Sequence, residues 1–342
     1  MKKILVFCPA NYSSGGPELL HQLCFQLREL GYASFMYYYG YDPNKCDNPI
    51  HKNYAHYQNP YVVTYKDDID NICVVPEAYT QAFYYIQKGI KILWWLSVDN
   101  FVGNFMKVKE GTKCCSAGIN ISYRWKVFRH KIYDVRRTDI NYHLVQSAYA
   151  ADYCNSLGIS NKKILFLSDY LNDSYIERAQ KNTGVQKEDL ILYNPKKGIK
   201  FTRKLMKSAS SLSWIPIVNM TYDEVIIELM QKSKLYIDFG NHPGKDRLPR
   251  EAAINGCCVI TGTRGSAAYQ KDVPIPSNYK IEGIDDNISQ IINLIDDVCK
   301  NYTKHTANFR EYRKFILGEK EQFEKDTRNV FKKILKDTES FN

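Results

Sequence analysis

The chain has 342 residues, 44% of them hydrophobic and 25% charged, with ten cysteines, 27 tyrosines and a formal charge of +10. That is the make-up of a folded protein of about two domains, and with no run of about 18 apolar residues it excludes a chain that spans a membrane. The cations are spread along the sequence rather than gathered in one arm, which favours phosphorylated small molecules or an anionic lipid surface over nucleic acid as partner.

The predicted elements begin with an apolar strand at Lys3–Cys8. The start MKKILVFCPA imitates a signal peptide, but its apolar part is short and the polar NYSSGG follows at once, so it reads as a buried strand of a cytoplasmic protein. A loop with Gly15 and Gly16 follows, then a helix at Pro17–Leu30 closed by Gly31, then a strand at Ala33–Tyr39. This opening is that of a doubly wound α/β domain. Further strands are expected at Ile72–Val75, Ile90–Trp95, Tyr142–Val145 and Ile164–Leu167. A second series has strands at Leu190–Tyr193, Ile215–Val218, Leu235–Asp238 and Cys257–Thr261, with helices at Lys200–Ser211, Tyr222–Lys232 and Pro249–Asn255. The fold class is therefore α/β, two Rossmann-like doubly wound domains facing across a cleft with a C-terminal helical tail. The domains are read as 1–168, 186–300 and, for the charged helical tail packing back on the first domain, 301–342.

The cysteines form no C-x-x-C pair and several lie in apolar runs. They read as reduced, small hydrophobes, without the spacing of a zinc site. His143 in a strand and His21 on a helix read as core histidines. The stretch ISYRWKVFRHKIYDVRR, Ile121 to Arg137, alternates cations with aromatics. It is either a solvated, partly buried helix or a contact for an anionic membrane surface.

The densest signal is HPGKDRLPREAAINGCCVITGTRGS, His242 to Ser266, which sets Lys245, Asp246, Arg247, Arg250 and Glu251 within seven residues. A glycine-bearing loop follows one strand and a helix opens near Pro249. A second loop, Gly262-Thr263-Arg264-Gly265-Ser266, follows the next strand. Amides of such loops and of a helix N-terminus point outside the strand ends, where an anion sits. Two such loops side by side describe a diphosphate cradle. A carboxylate beside it, Glu251, can accept from ribose hydroxyls, or it can merely complement the helix dipole. On the first half, Ser97, Asp99 and Asn100 end the apolar strand that holds Trp94 and Trp95, and could orient a hydroxyl of an acceptor or form an ordinary turn.

Pro249-x-Glu251-Ala252-Ala253-x-x-Gly256-x-x-Val259-Ile260, with Gly262-Thr263-Arg264-Gly265 after it, resembles the donor-binding segment of GT-B glycosyltransferases, most closely the retaining family 4. Ser14-Gly15-Gly16-Pro17-Glu18 resembles that family's N-terminal glycine loop. Tyr193-Asn194-Pro195-Lys196-Lys197-Gly198 resembles its first C-domain strand end, and Thr221-Tyr222-Asp223-Glu224 its base-binding turn. The resemblance implies transfer from a nucleotide diphosphate sugar to a glycan or lipid-linked acceptor in surface polysaccharide or glycolipid synthesis, with no bound metal and no covalent cofactor. It implies donor contacts from Gly15, Gly16, Lys196, Lys197, Tyr222, His242, Gly244, Lys245, Arg250, Glu251, Arg264, Gly265 and Ser266. It implies acceptor contacts from Ser97, Asp99 and Asn100, and catalytic roles for Lys197, Asp99 and Asp246. Two positions depart from the family pattern: Pro243 stands where a second glutamate is usual, with Asp246 the nearby acid, and Asn194 stands where an arginine is usual. A sugar-nucleotide epimerase, a polyol-phosphate transferase and a non-catalytic sugar-nucleotide-binding homologue are the competing readings on the same scaffold.

Overall fold

The computed structural model describes residues 2–104, 120–181, 184–218, 220 and 224–339. These form two compact units: residues up to 104, 120–169 and 321–339 make the first, and the described residues of 170–320 the second.

The first unit is built on a seven-stranded parallel sheet in the order β3-β2-β1-β4-β5-β6-β7. Its strands are β1 (Lys3–Pro9), β2 (Ser34–Tyr39), β3 (Tyr61–Val62), β4 (Asn71–Pro76), β5 (Ile90–Trp95), β6 (Tyr142–Val145) and β7 (Ile164–Phe166). The helices described here are α1 (Gly15–Glu29), α2 (Val98–Gly103), α3 (Ile121–Phe128) and α4 (Ala148–Ser156). Central strands of a parallel sheet are covered on both faces and so are continuously apolar. β4, NICVVP, is buried at every position, whereas β2, SFMYYY, alternates buried with half-buried residues. Because β1 pairs with both β2 and β4, the strand order reverses beside it. The carboxyl ends of β1 and β4 are therefore the topological switch point, where α/β sheets leave a crevice.

The second unit repeats the plan with five parallel strands in the order β12-β11-β10-β8-β9. They are β8 (Glu188–Tyr193), β9 (Ser213–Pro216), β10 (Ser233–Asp238), β11 (Cys258–Gly262) and β12 (Lys280–Ile281). With them stand α5 (Asp173–Lys181), α6 (Ile199–Ser208), α7 (Arg247–Ile254), α8 (Ile288–Lys300), α9 (Tyr302–Ala307) and the first part of α10 (Arg310–Glu339), whose residues from 321 belong to the first unit. Its core joins Ile191, Leu235, Ile237, Val259 and Ile260 of the strands to Ile291 and Ile295 of α8 and to Tyr312 and Ile316 of α10. The switch point here lies between β8 and β10, which pair from Ile191↔Leu235 to Tyr193↔Ile237.

Several boundaries differ from expectation for physical reasons. Gly15 and Gly16 open α1 instead of lying in the loop before it, and Ser14 is its N-cap. α7 starts at Arg247, two residues before Pro249, and Asp246 is its N-cap. Pro249 is tolerated at the third position because the first four amides of a helix have no internal partner. Glu251 consequently lies in the second turn, past the position where an acid best meets the dipole. β9 ends at Pro216 instead of Val218, and of the expected Tyr222–Lys232 helix, whose first two residues lie outside the described ones, Val225–Met230 is π-helical. Of the ten cysteines, Cys114 and Cys115 lie outside the described residues. The other eight are free thiols, and burial raises those of Cys24 and Cys73 to about 12. No helix among the described residues is long and apolar enough to cross a membrane.

Candidate functional site

Three loops leave the carboxyl ends of neighbouring strands in the second unit: Asn194–Gly198 after β8, Phe239–Asp246 after β10 and Thr263–Gly265 after β11. They are held together backbone to backbone. Gly198 has φ +60°, and a Cβ there would lie 2.7 Å from the Gly240 nitrogen. A Cβ on Gly265 (φ 61°, ψ −137°) would come within 2.0 Å of the His242 carbonyl oxygen. That backbone region is open essentially to glycine alone. The Ser266 amide donates to the same His242 oxygen at 2.9 Å, and the Ser266 hydroxyl donates to the Gly244 carbonyl. Gly265 and Ser266 thus close one loop on another, and the Ser266 amide is already used.

On this frame sits a ladder of ionisable side chains. Asp238 ends β10, and its carboxylate accepts from the Tyr236 hydroxyl at 3.1 Å and the Gly240 amide at 3.0 Å. His242, completely buried, sets Nε2 3.6 Å from Asp238 Oδ1 and Nδ1 3.2 Å from Asp246 Oδ2. Asp246 Oδ2 in turn accepts from Lys197 Nζ at 2.5 Å. Lys197 is the rung that reaches solvent, its side chain 28% exposed. Asp238, His242 and Asp246 also offer ligand atoms within 4.8 Å of one another, a spacing that can hold a cation. The Lys197 ammonium already supplies positive charge at that point, against Asp246.

The other predicted donor residues are sorted by burial. Lys196 is exposed and Arg264 half-buried. Lys245 and Arg250 are turned inward: Lys245 Nζ lies 2.7 Å from Glu319 Oε1, and Arg250 Nη1 lies 2.8 Å from Glu319 Oε2 on α10. Arg250, 1% exposed, also donates to the carbonyls of Lys245 and Asp246 at 3.0 and 3.2 Å. Glu251, 5% exposed, meets Arg247 Nε at 3.3 Å through Oε1, and the Arg247 guanidinium lies 4.7 Å from the Tyr175 ring centroid. Tyr222 lies outside the described residues.

In the first unit, a cavity of about 520 Å³ opens at the β1–β4 switch point. Gly16 of α1, Tyr39, Glu77, Ser97, Asp99 and Asn100 are among its walls. Ser97 caps α2 by accepting from the Asn100 amide at 3.2 Å, and Asp99 Oδ1 accepts from the Tyr149 hydroxyl at 2.7 Å. Ser97 is buried, Asp99 half-buried and Asn100 exposed. The histidines read as core residues are packed: Trp95 donates to His143 Nδ1 at 3.2 Å, and His21 bridges Pro17 O and the Tyr38 hydroxyl at 2.7 and 2.8 Å. Burial lowers the His21 pKa to about 4 and that of His143 to about 3.

Sequence reasoning missed Glu77. It follows directly on β4, is 2% exposed, and accepts from the Leu96 amide at 2.9 Å through Oε2. Burial raises its carboxyl to about 7 against the pull of the backbone amides of Leu96, Glu77 and Ser97. The signal was there: an acid directly after an apolar parallel strand lies at a carboxyl-end crevice. The folded state binds this proton more tightly than the unfolded chain. Its stability therefore falls as pH rises from about 4.5 to about 7, by an order of 3 kcal/mol at 1.36 kcal/mol per pKa unit. Glu77→Gln removes that slope. In urea unfolding from pH 4 to 8, the variant should gain on the native chain as pH rises through this window. Parallel curves would refute the assignment.

No family model matches the chain, and no curated protein matches it in sequence. Solved structures match its fold. Sucrose-phosphate synthase from Thermosynechococcus elongatus is similar at a TM-score of 0.67 and 11% identity, over 98% of this chain and 100% of that one. HepE of Anabaena, solved with UDP, is similar at a TM-score of 0.52 and 11% identity, over 99% and 100%. WaaG, a glycosyltransferase involved in lipopolysaccharide biosynthesis, is similar at a TM-score of 0.53 and 11% identity, over 94% and 98%. The architecture shared with these structures is the GT-B fold.

Proposed function

We propose that this chain, built on the GT-B fold, transfers a glycosyl group from a nucleotide diphosphate sugar to a glycan or lipid-linked acceptor. The observation that carries the proposal is Lys197. It is a solvent-reaching ammonium at the β8–β10 switch point, paired with Asp246 beside the buried His242 and Asp238 and flanked by glycine-closed loops. Breaking the bond between a sugar and a diphosphate leaves negative charge on the diphosphate. A cation already aimed at that place stabilises the transition state without reorganising. Lys197 supplies this charge, with Arg264 and Lys196 nearest it in kind, and so the transfer needs no bound metal. Asp246 and His242 hold Lys197 in place, and Glu251, one turn into α7, takes the ribose hydroxyls. The buried Lys245 and Arg250 add positive potential from below the loop.

The acceptor occupies the cavity beside Ser97, Asp99 and Asn100. Likeness of the His242–Ser266 segment to the retaining enzymes supports transfer with retention. UDP bound in the HepE structure makes uridine the first base to test. The +10 charge supports work at the cytoplasmic face of a membrane, on surface polysaccharide or glycolipid precursors. The test is incubation with a panel of UDP- and GDP-sugars and mass spectrometry of the products. Glycosyl transfer, or slow transfer to water, releases the nucleoside diphosphate and a free or transferred sugar. An isomerised sugar nucleotide would mark an epimerase instead, and an inert panel a binding protein.

A further inference from the structure

The first part of the basic aromatic stretch folds as α3, Ile121–Phe128, and the apolar side of that helix faces outward. Ile121, Trp125 and Phe128 recur at i, i+4 and i+7, which sets them within an arc of about 60° on one helix face. They are 87%, 49% and 78% exposed. The opposite face holds the helix down. Tyr123 is 1% exposed, accepts from the Val135 amide at 3.1 Å and donates to Asp134 at 3.0 Å. The Tyr84 hydroxyl donates to the Val127 carbonyl at 3.0 Å. Charge surrounds the stripe. Arg136 and Arg137 are paired with Asp134 and Asp139. Arg124, Lys126, Arg129 and Lys131 have no acidic partner among the described residues, and Arg129 and Lys131 lie 5.4 and 5.6 Å from the Trp125 ring centroid. Apolar side chains pointing out from a helix seated by Tyr123, with cations beside them that have no acidic partner among the described residues, match a layer that is apolar inside and anionic at its surface.

We propose that the Ile121–Trp125–Phe128 face of α3 inserts into the interface of an anionic phospholipid bilayer, with Arg124, Lys126, Arg129 and Lys131 at the headgroups. This rests on the membrane-face placement proposed above and specifies the element, its face and its lipid class. It does not depend on which donor the chain uses.

Flotation of the full chain with vesicles of phosphatidylcholine alone, or with about one third phosphatidylglycerol, tests it. The chain should float with the anionic vesicles at low salt, weakly at high salt, and not with neutral ones. Ile121→Ser combined with Phe128→Ser should lower binding about tenfold or more, because two large apolar side chains no longer leave water. Trp125 emission should shift to the blue on binding and the shift should vanish in Trp125→Phe, since Trp94 and Trp95 are fully buried already and Trp214 is half-buried against the core of the second unit. Failure to float, or flotation of the double variant equal to the native chain, overturns the proposal. So does sedimentation showing a dimer that the double variant loses, since the stripe would then cover a second copy. UDP titration of the same variant separates the two readings: it should bind UDP as the native chain does. A chain that binds UDP but no vesicle keeps the transferase reading and loses this one; a chain that floats but binds no nucleotide does the reverse.

Discussion

Replacing Lys197 with methionine should slow nucleoside diphosphate release from the donor sugar by about a hundredfold or more, the loss typical when one preorganised donor to a developing negative charge is removed. Methionine keeps most of the length and the apolar stem, so the change is close to deletion of one charge. Lys197 is partly exposed but Asp246 only 15% exposed, so losing the pair should cost some stability, less than the roughly 3–5 kcal/mol of a fully buried pair. The folded fraction at assay temperature should therefore stay high while turnover collapses. If turnover persists, the leaving charge falls elsewhere, and Arg264 becomes the first residue to test.

The second large effect is expected from a residue far along the chain. Glu319→Gln removes the carboxylate that two buried cations, Lys245 and Arg250, share. Breaking a buried ion pair by removing one partner costs about 3–5 kcal/mol, because the remaining charge is uncompensated. Both cations lose that contact at once, so urea unfolding should show a loss within that range. Lys245→Met should cost less, since it leaves the Arg250–Glu319 pair in place. It should also rescue part of the Glu319→Gln loss in the double variant. Additive effects would mean that the three side chains do not act as a unit.

The contrast between these two lysines marks where the sequence was legible. The α/β alternation was, because buried parallel strands are apolar runs such as ILVF, ICVV and CVIT, and the sheet needs them to be. Two-residue edge strands such as β3 and β12 leave no run to read. The segment His242–Ser266 was recognisable as a site, but the direction of each cation within it was not. Lys245 and Arg250 look like phosphate ligands beside a glycine loop. Their partner, Glu319, stands 69 residues beyond Arg250 in what reads locally as a charged helical tail. A helix opening at Pro249 would put Glu251 in its first turn, whereas the structure begins α7 at Arg247. The stripe on α3 was read as cations among aromatics. Which face looked inward became visible only once Tyr123 was seen anchored beneath it.

The central claim is that the loops after β8, β10 and β11 hold a nucleoside diphosphate through Lys197. Calorimetric titration of the native chain with UDP, UMP and uridine, repeated on Lys197→Met, tests it most directly. UDP should bind about tenfold or more tightly than UMP, uridine more weakly still, and the advantage of UDP over UMP should shrink in the variant, since a charge-assisted contact is worth about 1.5–3 kcal/mol. Equal affinity for UDP and UMP in the native chain, or an unchanged preference in Lys197→Met, would contradict the claim.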